Sequence, residues 1–157
     1  MTGRWAALAV VFLARVSMGF QFQSVASLSP FLVDEFGLSH AQVGWLTGLY
    51  LLPGGAIALP GGVLGQRLGE RRVVLWGLAL MAAGGVVTAV SGSFGLACAG
   101  RAVAGTGAVL LNVLVAKMVA DWFRDREIST AMGVMLSAWP AGIALAVATL
   151  GLSLIHI

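Results

Sequence analysis

Charge is what this sequence lacks most. Only 10% of its 157 residues are Asp, Glu, Lys or Arg, against about 25% in soluble domains. A water-facing surface needs charge to cover it, so the composition argues against a soluble fold and makes lipid the natural solvent. The balance is weakly basic, 9 Lys and Arg against 6 Asp and Glu. Those basic residues sit thinly between apolar runs, which argues against the clustered patch of a nucleic-acid binder. Cysteine occurs once, as Cys98 within an apolar run. One thiol makes no internal disulfide and has no clustered metal-binding partners, so Cys98 reads as a small packing residue. Grouped catalytic side chains are also missing. His40 with Asp34 and Glu35 is the one constellation, and it reads as a solvated loop. No enzyme activity, cofactor or metal is therefore expected. A repeated polar filter segment, the mark of a channel, is absent as well.

What is present is apolar length. Hydrophobic residues make up 59% of the chain, with 22 glycines. A bilayer core of about 30 Å takes about 20 apolar residues in helical form. Five runs qualify, near residues 5–30, 43–65, 73–90, 94–120 and 129–150. Glycine in such runs lets membrane helices approach closely. The expectation is an all-α integral membrane protein, with residues 1–151 forming an N-terminal bundle. A cleaved signal peptide is the alternative for the first run. Arg15 interrupts that run and four more follow, which favours a retained span. Placing the N-terminus in the cytoplasm puts Arg4, Arg67, Arg71, Arg72, Arg124 and Arg126 on the inner side. The outer loops then carry only Asp34, Glu35 and His40, as the positive-inside rule requires. The last six residues, 152–157, read LSLIHI. One frame of a common sequencing adaptor encodes that hexapeptide, so we expect an artefact there and leave His156 out of functional reasoning.

The most specific motif is GGVLGQRLGERR, residues 61–72, between the second and third runs. It resembles the loop signature of the major facilitator superfamily, G-x-x-x-D-R-x-G-x-R-R, through Gly62, Arg67, Gly69, Arg71 and Arg72. Gln66 stands where that pattern usually has Asp, which weakens the charge of the lock this loop forms in the family. Gly62 and Gly65 are expected to permit close helix contact and Gly69 a tight turn, while the arginines face helix C-termini and anionic headgroups. A second motif, residues 100–112, is similar to the family's helix-four pattern R-x-x-x-G-x-G through Arg101, Gly105 and Gly107. At 100° per residue, Arg101, Gly105, Ala108 and Asn112 share one face. Third, Asp121, Arg124, Asp125, Arg126 and Glu127 read as a solvated loop, with Trp122 and Phe123 at the membrane interface. Pro140 is expected to kink the fifth run, and the Pro140–Gly142 segment only partly matches the family's antiporter core. Arg15, the Asp-Trp-Phe run at 121–123 and Trp139-Pro140-Ala141-Gly142 look most like the cyanate and nitroimidazole porter branch, with nitrate/nitrite porters next.

The resemblance implies the first five helices of a twelve-helix fold in the plasma (inner) membrane, with the remaining half completing the site. It implies a transporter moving a small solute by alternating access, inactive as a five-helix piece. A non-transport membrane protein, structural or regulatory, is the alternative, and a membrane enzyme a more distant one. Two arginines fall within the runs. Arg15 sits about 15 Å into the first, at 1.5 Å per residue, where a lone arginine costs at least about 2.5–3.5 kcal/mol. It should face a cavity, a partner or an anion. Arg101 is the second, with a gating or coupling role slightly favoured. Gln21 and Gln23 point about 160° apart, so one at most is expected on the cavity wall, and glue between helices weighs equally with substrate contact. Asn112 divides evenly between cavity and packing. Ser24, Ser27 and Ser29 read as local backbone bonders, and Lys117 as a snorkelling side chain. No Asp or Glu lies within the five cores, so an anionic or strongly polar solute is expected.

Overall fold

Lipid leaves every backbone N–H and C=O to be satisfied within the chain, and long apolar runs meet that demand as helices. The computed structural model describes residues 2–124 and 127–155. Asp125, Arg126 and His156 lie outside the described residues. The helices are α1 (Thr2–Ser27), α2 (Ser29–Asp34), α3 (His40–Leu51), α4 (Pro53–Leu68), α5 (Glu70–Ala89), α6 (Phe94–Trp122) and α7 (Ile128–Ile155). Five spans among the described residues are long and apolar enough to cross a bilayer: Gly3–Ser27, His40–Leu68, Glu70–Ala89, Phe94–Trp122 and Ile128–Gly151. The second is α3 and α4 in sequence.

Two expected helix limits need correction. The first run was expected to reach residue 30, yet α1 stops at Ser27. Leu28 leaves helical geometry at ψ 5°, and Pro30, which has no N–H to donate, opens α2 instead. The second run was expected from 43, but helix begins at His40. There Ser39 accepts from the Gln42 backbone N–H while the Gln42 side chain accepts from Ser39, a reciprocal capping box. Pro53 supplies no N–H to the carbonyl one turn back, which separates α3 from α4 at Leu52. By contrast α7 continues through Pro140 without a break.

Helix α6 is the centre of the bundle. More than half of its most apolar window is buried, 56%, against 22–28% for the other four spans. Its small residues explain how neighbours reach it. On the α5 side, a Cβ added at Gly84 would meet Gly100 O at 2.5 Å and Ala104 Cα at 2.8 Å, and one at Gly77 would meet Gly107 O at 2.8 Å. Gly107 of the helix-four signature thus lies in this seam. On the α3 side, Gly105 lies against the Tyr50 backbone. On the α4 side, Gly61 and Gly65 are the buried glycines, seated on Leu110 and Leu114, whereas Gly62 has only an ordinary contact with Val113. The expected role of Gly62 in close contact therefore belongs to Gly61. Four residues separate Gly61 from Gly65, which puts them on one face of the helix. A second close pair joins α1 to α7, where an added Cβ at Gly142 would meet Phe20 N at 2.9 Å. Gly69 ends α4 and begins α5 at φ 89°, a backbone region that side chains avoid.

Candidate functional site

Four of the five spans converge on one cleft of about 380 Å³. Arg15 and Met18 of α1, Tyr50 of α3, Asn112 of α6 and Trp139 of α7 stand on its wall, and α5 contributes none of the lining. Apart from Arg15, Asn112, the Tyr50 hydroxyl and the Trp139 indole N–H, the lining side chains are apolar. Arg15 is only 5% exposed although it lies midway along its span. Its Nη1 donates to Asn112 Oδ1 across the α1–α6 gap. Its Nε is enclosed and has no hydrogen-bond partner. No carboxylate pairs with it among the described residues. The charge therefore has a single side-chain acceptor, and the guanidinium keeps donors to spare.

Arg101 has the opposite surroundings. It is 2% exposed, and all three of its nitrogens are used. Nε donates to Leu46 O at 3.0 Å, Nη1 to Gln21 O at 2.9 Å and Nη2 to Phe22 O at 3.2 Å. The guanidinium also lies 4.6 Å from the centroid of the Tyr50 ring, a cation–π distance. It borders a larger, mostly apolar cleft of about 890 Å³, lined from α1, α2, α3, α5, α6 and α7. Its donors are spent on the backbones of α1 and α3, however, so it holds helices together. Gln21 joins the same network, donating to Met81 O at 3.0 Å and accepting from Tyr50. Gln21 thus links α1 to α5 and α3 and also lines the larger cleft, while Gln23 is half-buried with no hydrogen bond among the described residues.

The shared face expected for Arg101, Gly105, Ala108 and Asn112 divides along its length. Arg101 and Gly105 lock to α1 and α3, while Ala108 and Asn112 line the smaller cleft. Asn112 is exposed to that cleft, not packed away. Gly142 and Pro140 do not line it; Gly142 serves the α1–α7 contact. Gln66, Arg67, Arg71 and Arg72 stand exposed at one end of the bundle, with no ion pair among the described residues.

Several surface expectations are corrected at that same end. Lys117 does not merely snorkel: it pairs with Glu70 of α5 and, at 2.9 Å, with Asp121. Asp121 lies on α6 and also pairs with Arg124 at 2.7 Å. Glu127 pairs with Arg4 at 2.8 Å. Phe123, expected at the membrane interface, is fully buried beneath Trp5 and Arg4, both 5.0 Å from its ring centre. At the other end Ser24 bonds Gln21 O, but the Ser27 hydroxyl is buried without a partner. The Lys117–Asp121 pair has the i,i+4 spacing that helical periodicity can signal, whereas Lys117–Glu70 and Arg4–Glu127 join residues 47 and 123 apart, which local periodicity does not show. His40 is exposed, and no group of three His, Cys, Asp or Glu that could hold a metal occurs among the described residues.

Four of the five spans thus meet at a polar point within an otherwise apolar bundle. A Major Facilitator Superfamily profile matches residues 11–157. The chain belongs to the major facilitator superfamily. Among its relatives, the 3-(3-hydroxy-phenyl)propionate transporter of Escherichia coli is 32% identical over 149 residues, 92% of this chain and 36% of that protein. The inner membrane transport protein YajR of Escherichia coli is 34% identical over 96 residues, 61% of this chain and 21% of YajR. The multidrug efflux pump LfrA of Mycolicibacterium smegmatis is 29% identical over 145 residues, 92% of this chain and 29% of LfrA. The chain spans between a fifth and about a third of the length of these relatives. Membership, with five candidate spans among the described residues, makes this chain part of an integral, multi-pass membrane protein.

Proposed function

We propose that this chain is the first part of a secondary transporter that moves a small anionic or strongly polar solute by alternating access, with Arg15 on the wall of the solute site. The N-terminus is cytoplasmic and the membrane is the plasma (inner) membrane, because that placement gathers Arg4, Arg67, Arg71, Arg72 and Arg124 on the inner side. A second bundle, encoded beyond this chain, faces the cleft and supplies the other wall. The exposed arginines at the α4–α5 junction, Arg67 in the last turn of α4 and Arg71 and Arg72 in the first turn of α5, meet that bundle and anionic headgroups. The placement near the cyanate/nitroimidazole and nitrate/nitrite porters rests on Arg15, the run 121–123 and the segment 139–142. The relatives' names do not settle the solute. One names a carboxylate and another, human, choline and ethanolamine.

The observation that carries the proposal is the state of Arg15: buried, midway along its span, bonded to one amide and free of any carboxylate among the described residues. A lone cation at that depth is held at a cost unless something negative or strongly polar visits it. The test is uptake of small labelled anions into proteoliposomes carrying the complete two-bundle transporter or its Arg15→Gln form. The expected result is a loss of uptake of about tenfold or more, the worth of a hydrogen bond to a charged group. Equal uptake by both forms, with equal protein incorporated, overturns the proposal.

A further inference from the structure

The cleft specifies more than a negative charge. Its lining holds one cation, no carboxylate and a set of apolar side chains that includes Met18, Tyr50 and Trp139. A second solute charge against this wall would lose its hydration and find no partner on it. A solute with no apolar body would leave the indole and thioether walls unsatisfied. The volume, about 380 Å³, lies at the small end of the roughly 300–1,000 Å³ of ligand sites. Of the aromatic groups, Trp139 is half-buried and offers its indole to the cleft, whereas Tyr50 is 1% exposed with Arg101 over its ring. Phe22 lies between Tyr50 and Trp139, with ring centres 5.9 and 5.4 Å away, so both rings are braced from behind.

Asn112 adds direction. A guanidinium can only donate, so the oxygen of the Asn112 amide must face Arg15 and its NH2 group must turn away. Asn112 is exposed to the cleft. The pair thus offers two kinds of donor side by side, the remaining guanidinium N–H groups and the amide NH2. We infer that the cleft binds a monoanion with a flat apolar body, an aromatic monocarboxylate in chemical class, and that Asn112 is a specificity-determining residue beside Arg15. The inference rests on the anion reading proposed above and deepens it.

The test is direct binding of labelled benzoate to the detergent-solubilised protein, with competition by four unlabelled probes. These are benzoate, benzyl alcohol as a neutral aromatic, acetate as an anion without a ring, and phthalate as a dianion. Benzoate is expected to compete about tenfold or more better than each of the other three. Asn112→Leu is expected to weaken benzoate binding several-fold and to narrow its advantage over benzyl alcohol. Asn112→Asp, which sets a carboxylate against Arg15, is expected to abolish benzoate binding. If acetate competes as well as benzoate and both depend on Arg15, the anion reading stands and the aromatic class falls. If benzyl alcohol competes as well as benzoate, both readings fall. The wild-type series decides these outcomes even where a variant does not fold. If both Asn112 variants fold and bind benzoate as wild type does, the role of Asn112 falls.

Discussion

Two arginines are buried in this bundle, and they live differently. Arg101 on α6 donates from every nitrogen to main-chain carbonyls of α1 and α3 and covers the Tyr50 ring. Arg15 on α1 has one side-chain acceptor, an enclosed Nε without a partner and an open cleft in front of it. Both carry the same charge through the same kind of apolar span. The difference lies in the inventory of acceptors. A guanidinium whose donors are all spent is a clamp, and one with donors in reserve is available to a solute. Backbone carbonyls suit the clamp because they are already fixed by their helices, so little ordering remains when the arginine arrives.

The largest effect that could break this comparison is on stability. Arg101→Gln removes charge-assisted bonds that join three helices, each of a kind worth roughly 1.5–3 kcal/mol and not additive. We expect a loss of about 3 kcal/mol or more, read as thermal unfolding of the detergent-solubilised protein. Arg15→Gln gives up one bond but also removes a desolvated charge, so its effect on unfolding is expected to stay within about 1 kcal/mol. Solute binding should show the reverse order. If Arg15→Gln unfolds as readily as Arg101→Gln, the distinction between clamp and site fails.

A middle-sized effect sharpens the contrast between the cleft and the seam on the far side of α6. The seam with α5 is closed by backbone contact at Gly84, Gly100 and Ala104, with no room for a side chain. Gly84→Leu is expected to cost about 1–3 kcal/mol by overpacking, and to leave solute affinity in the folded fraction unchanged, because α5 lines no part of the Arg15 cleft. Lost affinity at retained stability would show that the seam and the cleft are coupled.

Much of the fold was legible because lipid writes it in composition and length. Five apolar runs, short links and scarce charge leave few alternatives, and the described residues hold five candidate spans. The helix ends were less legible where capping decides them, as at Ser39 and Gln42. At the site, sequence placed two arginines in the spans but not which of them was free. That depends on partners 55–97 residues away: Leu46 for Arg101 and Asn112 for Arg15. Local periodicity shows which face a residue occupies and not what stands opposite. The same limit exchanged Gly61 for Gly62, neighbours about 100° apart on one helix, and put Phe123 at an interface when Trp5 and Arg4 cover it.

A third arginine gives the smallest and finest test, because Arg4 sits where charge is cheap. It is partly exposed at the end of the bundle, pairs with Glu127 at 2.8 Å and lies over the Phe123 ring. An exposed pair of this kind is worth about 0–1 kcal/mol. Glu127, however, holds φ at 62°, the one positive value among the described non-glycine residues, at a cost of roughly 1–2 kcal/mol. Pair and strain therefore oppose each other at one residue. Glu127→Gln keeps the strain and loses the charge, so it should destabilise by less than about 1 kcal/mol. Glu127→Gly loses the same pair but relieves the backbone, so it should be at least as stable as Glu127→Gln and about 1 kcal/mol better if the relief is complete. Thermal unfolding of the two variants side by side reads the sign. If the glycine form is the weaker, the strain at Glu127 is not what limits this turn, and the Arg4 contact carries more of the closure at this end than an exposed ion pair accounts for.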